Sequence, residues 1–544
     1  MSTDAAPDTR TDTPSLVPSA SAGSLLGSPD VDRSTVAAGG SMEHRTPSTR
    51  LSARRVREPS RTKVVATIGP ASEGRLEELL EAGMSVARLN FSHGEADEHR
   101  RRADVVRKTA RKLGKPVALL ADIQGPKLRM GRFVDKEREL EYGDQLIVRE
   151  GDEIAQLGEA YFNFPGFLES IQDGHRLVLA DGAVELVAVE IARDHIVAEV
   201  VRGGTVSDRK GVNLPDTRLG LRLPTEKDLR DITIARQIGV EMLGLSFVGD
   251  AADVERIRDL APDTLLVSKI ERAIALEHIH EILRASDGIM VARGDLGVEV
   301  DLEQLPMIQK SLIHAAVVEG RFVITATEML ESMIHSSRPT RAEVTDIANA
   351  VLDGTDAVML SAETAVGKHP IEAVAVMNRI CRAVEQSQRY MDLPRVAFRA
   401  SEQTFSNAIA LAAVHSAEAL HLSKIIAFTE TGNTVRLVSR YRPQAEVIAI
   451  TPSERVYNQM AVLAHVRPFM GRRNTSIEDM WQSSSDDLLA AGIVKQGEKV
   501  IFIAGIPPGV ARTTNLLKLH RIGEQLKFSS SGNDQPVTFR STDG

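Results

Sequence analysis

Lys269 and Glu271 close the stretch LLVSKIE (265–271), an apolar β-like run that ends with a cation and an anion two positions apart. Side chains alternate along a strand, so the two project to the same side, with Val267 beneath them. A second run, GIMVARGD (288–295), closes on Arg293 and Asp295 and offers another carboxylate at the equivalent height of a neighbouring strand. Two carboxylates with open positions suit magnesium, a hard cation that keeps several waters and also takes substrate oxygens. Arg88 and Lys269 are then free to hold a phosphoryl group, the arginine through its planar fork and the lysine as a point charge. The set describes phosphoryl transfer, whose main demands are positioning and neutralisation of charge. The same groups stabilise an enolate, because a metal and an ammonium beside a carbonyl oxygen lower the cost of charge there.

Such convergence needs a scaffold that gathers strand ends. Eight short β-branched or Leu-rich runs alternate with helical segments: 63–69, 85–91, 116–123, 241–247, 265–270, 288–295, 322–327 and 357–362. TEKDLRDITIARQIG starts on Thr225 as N-cap with Asp228 three residues later and stops at Gly239. TRAEVTDIANAVLDG repeats the device with Thr340, Glu343 and Gly354, and its Val344, Ile347, Ala348, Val351 and Leu352 are expected to form one apolar face. Eight βα units imply an α/β protein built on a (β/α)₈ TIM barrel, whose active site lies at the C-terminal ends of the strands. Also expected at those ends are Asn90, Ser92 and His93 after strand two, Asp122 and then Arg129 after strand three, Thr327 and Glu328 after strand seven, and Glu363 after strand eight.

The rhythm breaks after strand three, where residues 127–223 alternate in short strand-like pieces punctuated by Gly and Asp, such as RLVLADGAVELVAV. We expect an all-β insertion domain that grows from a βα loop and sits over the barrel mouth as a lid. The barrel then occupies 61–126 and 224–395, and a doubly wound α/β domain follows at 396–528, with strands at 424–429, 446–451 and 499–505. Residues 1–60, rich in Ser, Thr, Pro, Ala and Asp, and 529–544 have too little apolar pattern to offset ordering and read as disordered tails. The first tail lacks an apolar h-region, which argues against a secretory signal or a transit peptide.

Composition narrows the partners. The hydrophobic share of 42%, the charged share of 26% and the lack of a long apolar run fit a globular protein without a membrane span. A net charge of −9 argues against a nucleic-acid partner but leaves room for small phosphorylated ligands in a basic pocket. The single cysteine, Cys381, lies in an apolar segment and reads as core filler; its isolation fits a reducing, cytoplasmic compartment.

At the segments TKVVATIGPAS, VARLNFSHG, KGVNLP, SKIE, DGIMVARGDLGVE and ATEMLESMIHSSRPTRAEVTDIANAVLDGTDAVMLSAETAVG, which run in order, the chain closely resembles the pyruvate kinase family over roughly residues 61–527. The resemblance implies phosphate transfer from phosphoenolpyruvate to ADP, giving ATP and, after protonation of the enolate, pyruvate. It implies that Glu271 and Asp295 bind magnesium, that Lys269 stabilises the phosphoryl group in flight and the enolate, and that Arg88 holds phosphate. Thr327 is implied to orient a water or proton relay at the methylene carbon, and the backbone of Ala292, Arg293 and Gly294 to seat the substrate carboxylate. His93, Arg129 and Lys210 are implied to meet the nucleotide. A homotetramer is implied as well.

Where many members of that family read DTKGPEIRTG, this chain has DIQGPKLRMG (122–131). The family glutamate accompanies a potassium site, and here Lys127 takes its position, so an ammonium near Asn90, Ser92, Asp122 and Ile123 is expected to replace the monovalent cation. The sequence therefore resembles the potassium-independent branch. Glu328 stands where many relatives carry Gln. In FTETGNTVRLVSRYRP, Thr429, Thr431, Gly432, Asn433 and Thr434 resemble the family's effector loop and point to a sugar phosphate or nucleotide monophosphate. Two other readings stay open at this level: a magnesium-dependent lyase acting on pyruvate enolate, which does not predict the insertion or the effector domain, and a non-catalytic metabolite sensor, which has no need of the full polar set.

Overall fold

The computed structural model describes residues 59–393, 404–474, 476–507 and 513–524. The expectations for the two tails fall outside them, apart from the boundary near residue 60. Ser60 is buried and its amide donates to Asn378 Oδ1 at 2.9 Å, so the fold begins slightly before the expected edge.

Eight parallel strands close into a barrel in sequence order: Lys63–Thr67, Met84–Asn90, Ala118–Ile123, Met242–Leu245, Leu265–Ile270, Gly288–Ala292, Phe322–Ala326 and Ala357–Leu360, the last pairing with the first. Burial on both faces explains why the strands read as apolar runs rather than alternating ones. All six positions of Leu265–Ile270 are buried, for example. Val65, Val86, Leu120, Val267, Met290 and Ile324 fill the interior, while Ala66, Leu89, Leu119, Leu266 and Ile289 pack outward against the helices. The phase of each strand thus fixes what stands at its upper end: Arg88 above Val86, Asp122 above Leu120 and Lys269 above Val267 all face inward.

The two capping boxes form as read, Thr225 with Asp228 on Glu226–Ile238 and Thr340 with Glu343 on Arg341–Asp353, and both helices end on a left-handed glycine. The apolar face of the second is narrower than expected. Ile347, Ala350 and Val351 are buried, but Val344 is exposed in the first turn. The sixth strand stops at Ala292, and Arg293–Glu299 form a helix, so Asp295 lies in a first helical turn and not on the strand.

The insertion is mostly β, with one short helix, Phe167–Ser170, that the all-β expectation did not include. A six-stranded sheet runs in the order Val212–Asn213, Arg176–Leu179, Val184–Ile191, Ile196–Arg202, Gln145–Glu150, Glu159–Phe162 around its own core of Phe162, Phe167, Leu177 and Leu179. Two small ribbons flank it, Glu137–Leu140 with Gly204–Ser207 and Arg132–Phe133 with Ile154–Ala155. The C-terminal sheet carries Lys424–Phe428 at its centre, Glu446–Thr451 and Val466–Met470 to one side, and Lys499–Gly505 and Thr514–Arg521 to the other. Two of these strands were not anticipated. Val466–Met470 is interrupted by Pro468, and Thr514–Arg521 runs antiparallel at the edge with much of its length exposed. Cys381 is fully buried in the barrel's helical layer, as its apolar surroundings indicate.

Candidate active site

The inward-facing strand ends meet in one buried charge cluster. Asp122 is the hub: its Oδ2 accepts from Arg88 Nε at 2.7 Å and lies 2.7 Å from Arg88 Nη2, and its Oδ1 lies 3.2 Å from Lys269 Nζ. Arg88 Nη1 donates to Thr67 Oγ1 at 2.9 Å, on the first strand. Lys269 Nζ donates to Ser246 Oγ at 2.7 Å and pairs with Glu271 Oε1 at 2.7 Å. The ammonium's three protons thus face three protein acceptors, and two of them are carboxylates. Burial disfavours the charged lysine, but Asp122 and Glu271 outweigh it and raise the Lys269 pKa. Burial likewise opposes ionisation of Asp122, and Lys269 with Arg88 overcomes it and holds that pKa below the ordinary value.

Glu271 behaves differently. Burial pushes it up to about 7 against the pull of Lys269, and Asp295 adds to the rise. Its Oε2 accepts the amide of Phe247 at 2.8 Å. Two carboxylates that repel each other, Glu271 buried and Asp295 partly exposed, make a hard-oxygen donor pair that fits a divalent cation. Among the described residues no group of three or more His, Cys, Asp or Glu side chains is placed to hold a metal, so the remaining positions would fall to water and substrate, the pattern magnesium favours.

Sequence reasoning missed two contributors at the end of the fourth strand. Ser246 lies between Lys269 and Asp122, donating to Asp122 Oδ1 at 3.4 Å, and Phe247 presents its amide to Glu271 from a left-handed backbone (φ 61°). The only available signal was their place in EMLGLSF, since neither a serine nor a phenylalanine marks chemistry by type.

Lys127 stands between Asp295 and Asp181. Its Nζ lies 3.9 Å from Asp295 Oδ1 and 3.9 Å from Asp181 Oδ1, and it makes no ion pair with Asp122. The reason is that Arg88 and Lys269 already fill the Asp122 carboxylate. Ile123 is fully buried in the packed layer between strands and helices, so its side chain adds nothing to a cation site. Asn90 Oδ1 accepts the amide of Ser92 at 3.1 Å and closes the turn after the second strand.

The carboxylate seat also differs in detail. Thr327, left-handed at φ 67°, accepts the Gly294 amide on Oγ1 at 2.8 Å and donates to the Ala326 carbonyl at 2.6 Å, so Gly294 N–H is already engaged. Beside it the Arg293 side chain donates to the carbonyls of Ala326 and Thr327 and to Asp346, and ties strand seven to the helix Arg341–Asp353. Glu363 is fully buried and accepts the amides of Leu330 and Ser361; it holds two loops together.

His93 and Lys210 are exposed, Arg129 is half-buried with Nη1 on the Arg209 carbonyl at 3.0 Å, and none of the three hydrogen bonds to the Lys269 cluster. A cleft of about 1150 Å³ separates the lid's Asp181 and Gly182 from Arg293, Gly294 and Glu328. In the C-terminal domain the Thr429 hydroxyl accepts the Gly432 amide at 2.8 Å and Thr434 Oγ1 lies 2.6 Å from Thr514 Oγ1, so both hydroxyls serve the fold. Thr431 is exposed, Gly432 is left-handed at φ 81°, Asn433 opens the helix, and Glu430 lies 3.8 Å from Arg473.

Comparison with known proteins matches residues 59–374 to the family model "Pyruvate kinase, barrel domain" and 407–520 to "Pyruvate kinase, alpha/beta domain". The pyruvate kinase of Geobacillus stearothermophilus is 40% identical over 475 residues, covering 86% of this chain and 81% of that protein. That of Staphylococcus aureus is 40% identical over 474 residues with the same coverage. The crystal structure of a pyruvate kinase from Cryptosporidium parvum superposes with a TM-score of 0.79 at 34% identity, covering 86% of this chain and 97% of that one.

Proposed function

The chain belongs to the pyruvate kinase family, a phosphotransferase of glycolysis acting on phosphoenolpyruvate and ADP, and from that premise we propose how its side chains divide the work. Family membership implies dependence on a divalent metal; magnesium held by Glu271 and Asp295 is our assignment, supported by the oxygen-only donor pair. When bound, the cation would supply charge neutralisation to the phosphoryl and enolate oxygens.

Arg88 keeps one N–H on each terminal nitrogen after its bonds to Asp122 and Thr67, and those two point a planar fork at the phosphoryl group. With Glu271 engaged in holding the cation, Lys269 would keep one N–H free for the bridging oxygen. As the P–O bond to the enol carbon breaks and a bond to the terminal oxygen of ADP forms, the electron pair left on the enolate oxygen stays beside the ammonium. Protonation at the methylene carbon then gives pyruvate. Thr327 orients the water that delivers this proton, and the amides of Ala292, Arg293 and Gly294 seat the carboxylate once substrate exchanges for the Thr327 hydroxyl. His93, Arg129 and Lys210 meet the nucleotide from the rim and the lid.

The chain divides, on this reading, into a barrel (61–126 and 224–395), a lid (127–223) and an effector domain (396–528), assembles as a homotetramer and works in the cytoplasm. Its phosphorylated effector binds the 429–434 loop through Thr431 and backbone amides. Lys127, between Asp295 and Asp181, supplies the charge that potassium supplies elsewhere, which makes potassium dispensable. The observation that carries the mechanism is the ammonium of Lys269 set within 3.2 Å of Ser246, Asp122 and Glu271 on three different strand ends. A lactate dehydrogenase-coupled assay with phosphoenolpyruvate and ADP tests it: activity is expected with magnesium and to persist when potassium is replaced by a bulky organic cation. Strong potassium activation removes the role given to Lys127.

A further inference from the structure

Lys127 stands between a carboxylate of the barrel and one of the lid. Its ammonium makes no hydrogen bond among the described residues, yet stands 3.9 Å from Asp295 on the barrel and 3.9 Å from Asp181 on the lid. Asp181 sits in the hairpin turn between the strands Arg176–Leu179 and Val184–Ile191, where Ala180, Asp181 and Gly182 are all left-handed at φ 51°, 56° and 94°. Alanine in that conformation costs about 1 kcal/mol. The strained turn directs Asp181 at the mouth, and a Cβ added to the adjoining Gly182 would stand 3.6 Å from Val298, on the helix that carries Asp295. Gly211 leaves the channel open: a Cβ there would stand 3.1 Å from Lys127 Cε and 3.4 Å from Asp181 Oδ1.

We propose that Lys127 is a transferable counter-ion and Asp181 a positioning residue of the lid: when a divalent cation takes over Asp295, Lys127 passes to Asp181 and draws the lid turn down over the mouth. The inference rests on the assignment of Asp295 as a metal ligand. An ammonium equidistant from two carboxylates is held by both, and neutralising one leaves the other as its remaining ion-pair partner among the described residues. Metal binding and lid closure then share a coupling free energy, which is reciprocal.

The test uses the full chain carrying Leu157→Cys on the lid and Met307→Cys on the barrel, both exposed, labelled for distance measurement while the sole native cysteine, Cys381, stays buried. Mn²⁺ is the probe, its binding read by electron paramagnetic resonance and the label distance followed without substrate. The labels are expected to approach as Mn²⁺ binds. In Asp181→Asn, which keeps a residue tolerant of the left-handed turn, the approach is lost and Mn²⁺ binds about threefold more weakly. Asp181→Glu is expected to restore both. Unchanged movement in Asp181→Asn, or a stationary lid in the parent with Mn²⁺ bound, overturns the proposal alone. Mn²⁺ binding unaffected by Asp295→Asn overturns the metal assignment and the proposal together.

Discussion

A lysine ammonium has three protons, and at Lys269 each is matched to an acceptor on a different element, Ser246, Asp122 and Glu271. The arrangement keeps the charge in place without substrate and makes it available when one acceptor is withdrawn. Methionine at 269 keeps the length and removes the charge, so Lys269→Met is expected to lower kcat by roughly 10³-fold or more, by analogy with removing a donor from a developing oxyanion. Mn²⁺ affinity should change little, since both carboxylates remain. Ser246→Ala removes only a neutral acceptor from a charged donor, and its kcat is expected to fall roughly tenfold. Steady-state kinetics with a parallel Mn²⁺ titration separates the two variants; near-normal turnover in Lys269→Met removes the lysine from the chemistry.

The elements behind this cluster are the loops after strands three and four, which must approach closely for Ser246 to reach Asp122. Gly125 makes that possible: it is left-handed at φ 67°, its amide donates to Asp228 Oδ1 at 3.0 Å, and a Cβ there would stand 2.5 Å from the Ser246 carbonyl. Gly125→Ala is therefore expected to push the loops apart, cost about 1–3 kcal/mol of stability and lower kcat at unchanged protein concentration, measured by urea unfolding and the coupled assay. The same elements show what a sequence can reveal. Strand phase was legible, because LLVSKI and VARLNF are apolar enough to be buried on both faces, and phase alone turns Arg88 and Lys269 inward. The capping boxes at Thr225 and Thr340 were legible because they are local. Contacts made by closure were not: Asp122 was placed in a potassium region, and only the register of strand three between strands two and four brings it between Arg88 and Lys269. Phe247 contributes an amide and Asp295 comes from a helix, and neither backbone position is written in a side-chain pattern.

At the scale of the whole molecule, the C-terminal domain closes the bottom of the barrel. Arg442 reaches Asp356 through both terminal nitrogens at 2.8 Å, and Lys63 Nζ donates to the Val466 carbonyl at 2.8 Å. Within this junction His465 is buried, its amide donates to the Arg61 carbonyl, and its Nε2 lies 2.8 Å from the Tyr390 hydroxyl. Burial, and then the cations Arg442, Arg61 and Lys63, hold its pKa well below 6.5. The unfolded chain therefore binds a proton here before the folded one does, so this group's contribution is intact above the unfolded value and is lost as pH falls below it. The slope from one such group is at most about 1.4 kcal/mol per pH unit. Glu385, also in the junction, has a pKa raised by burial and acts in the opposite direction, gaining stability as pH falls. The net curve mixes the two, and a histidine variant isolates one. Denaturation midpoints from pH 7.5 to 5.5 are expected to decline, and His465→Gln, which keeps a partner for Tyr390 but cannot titrate, to flatten that decline; an equal slope in the variant places the acid sensitivity elsewhere in the chain.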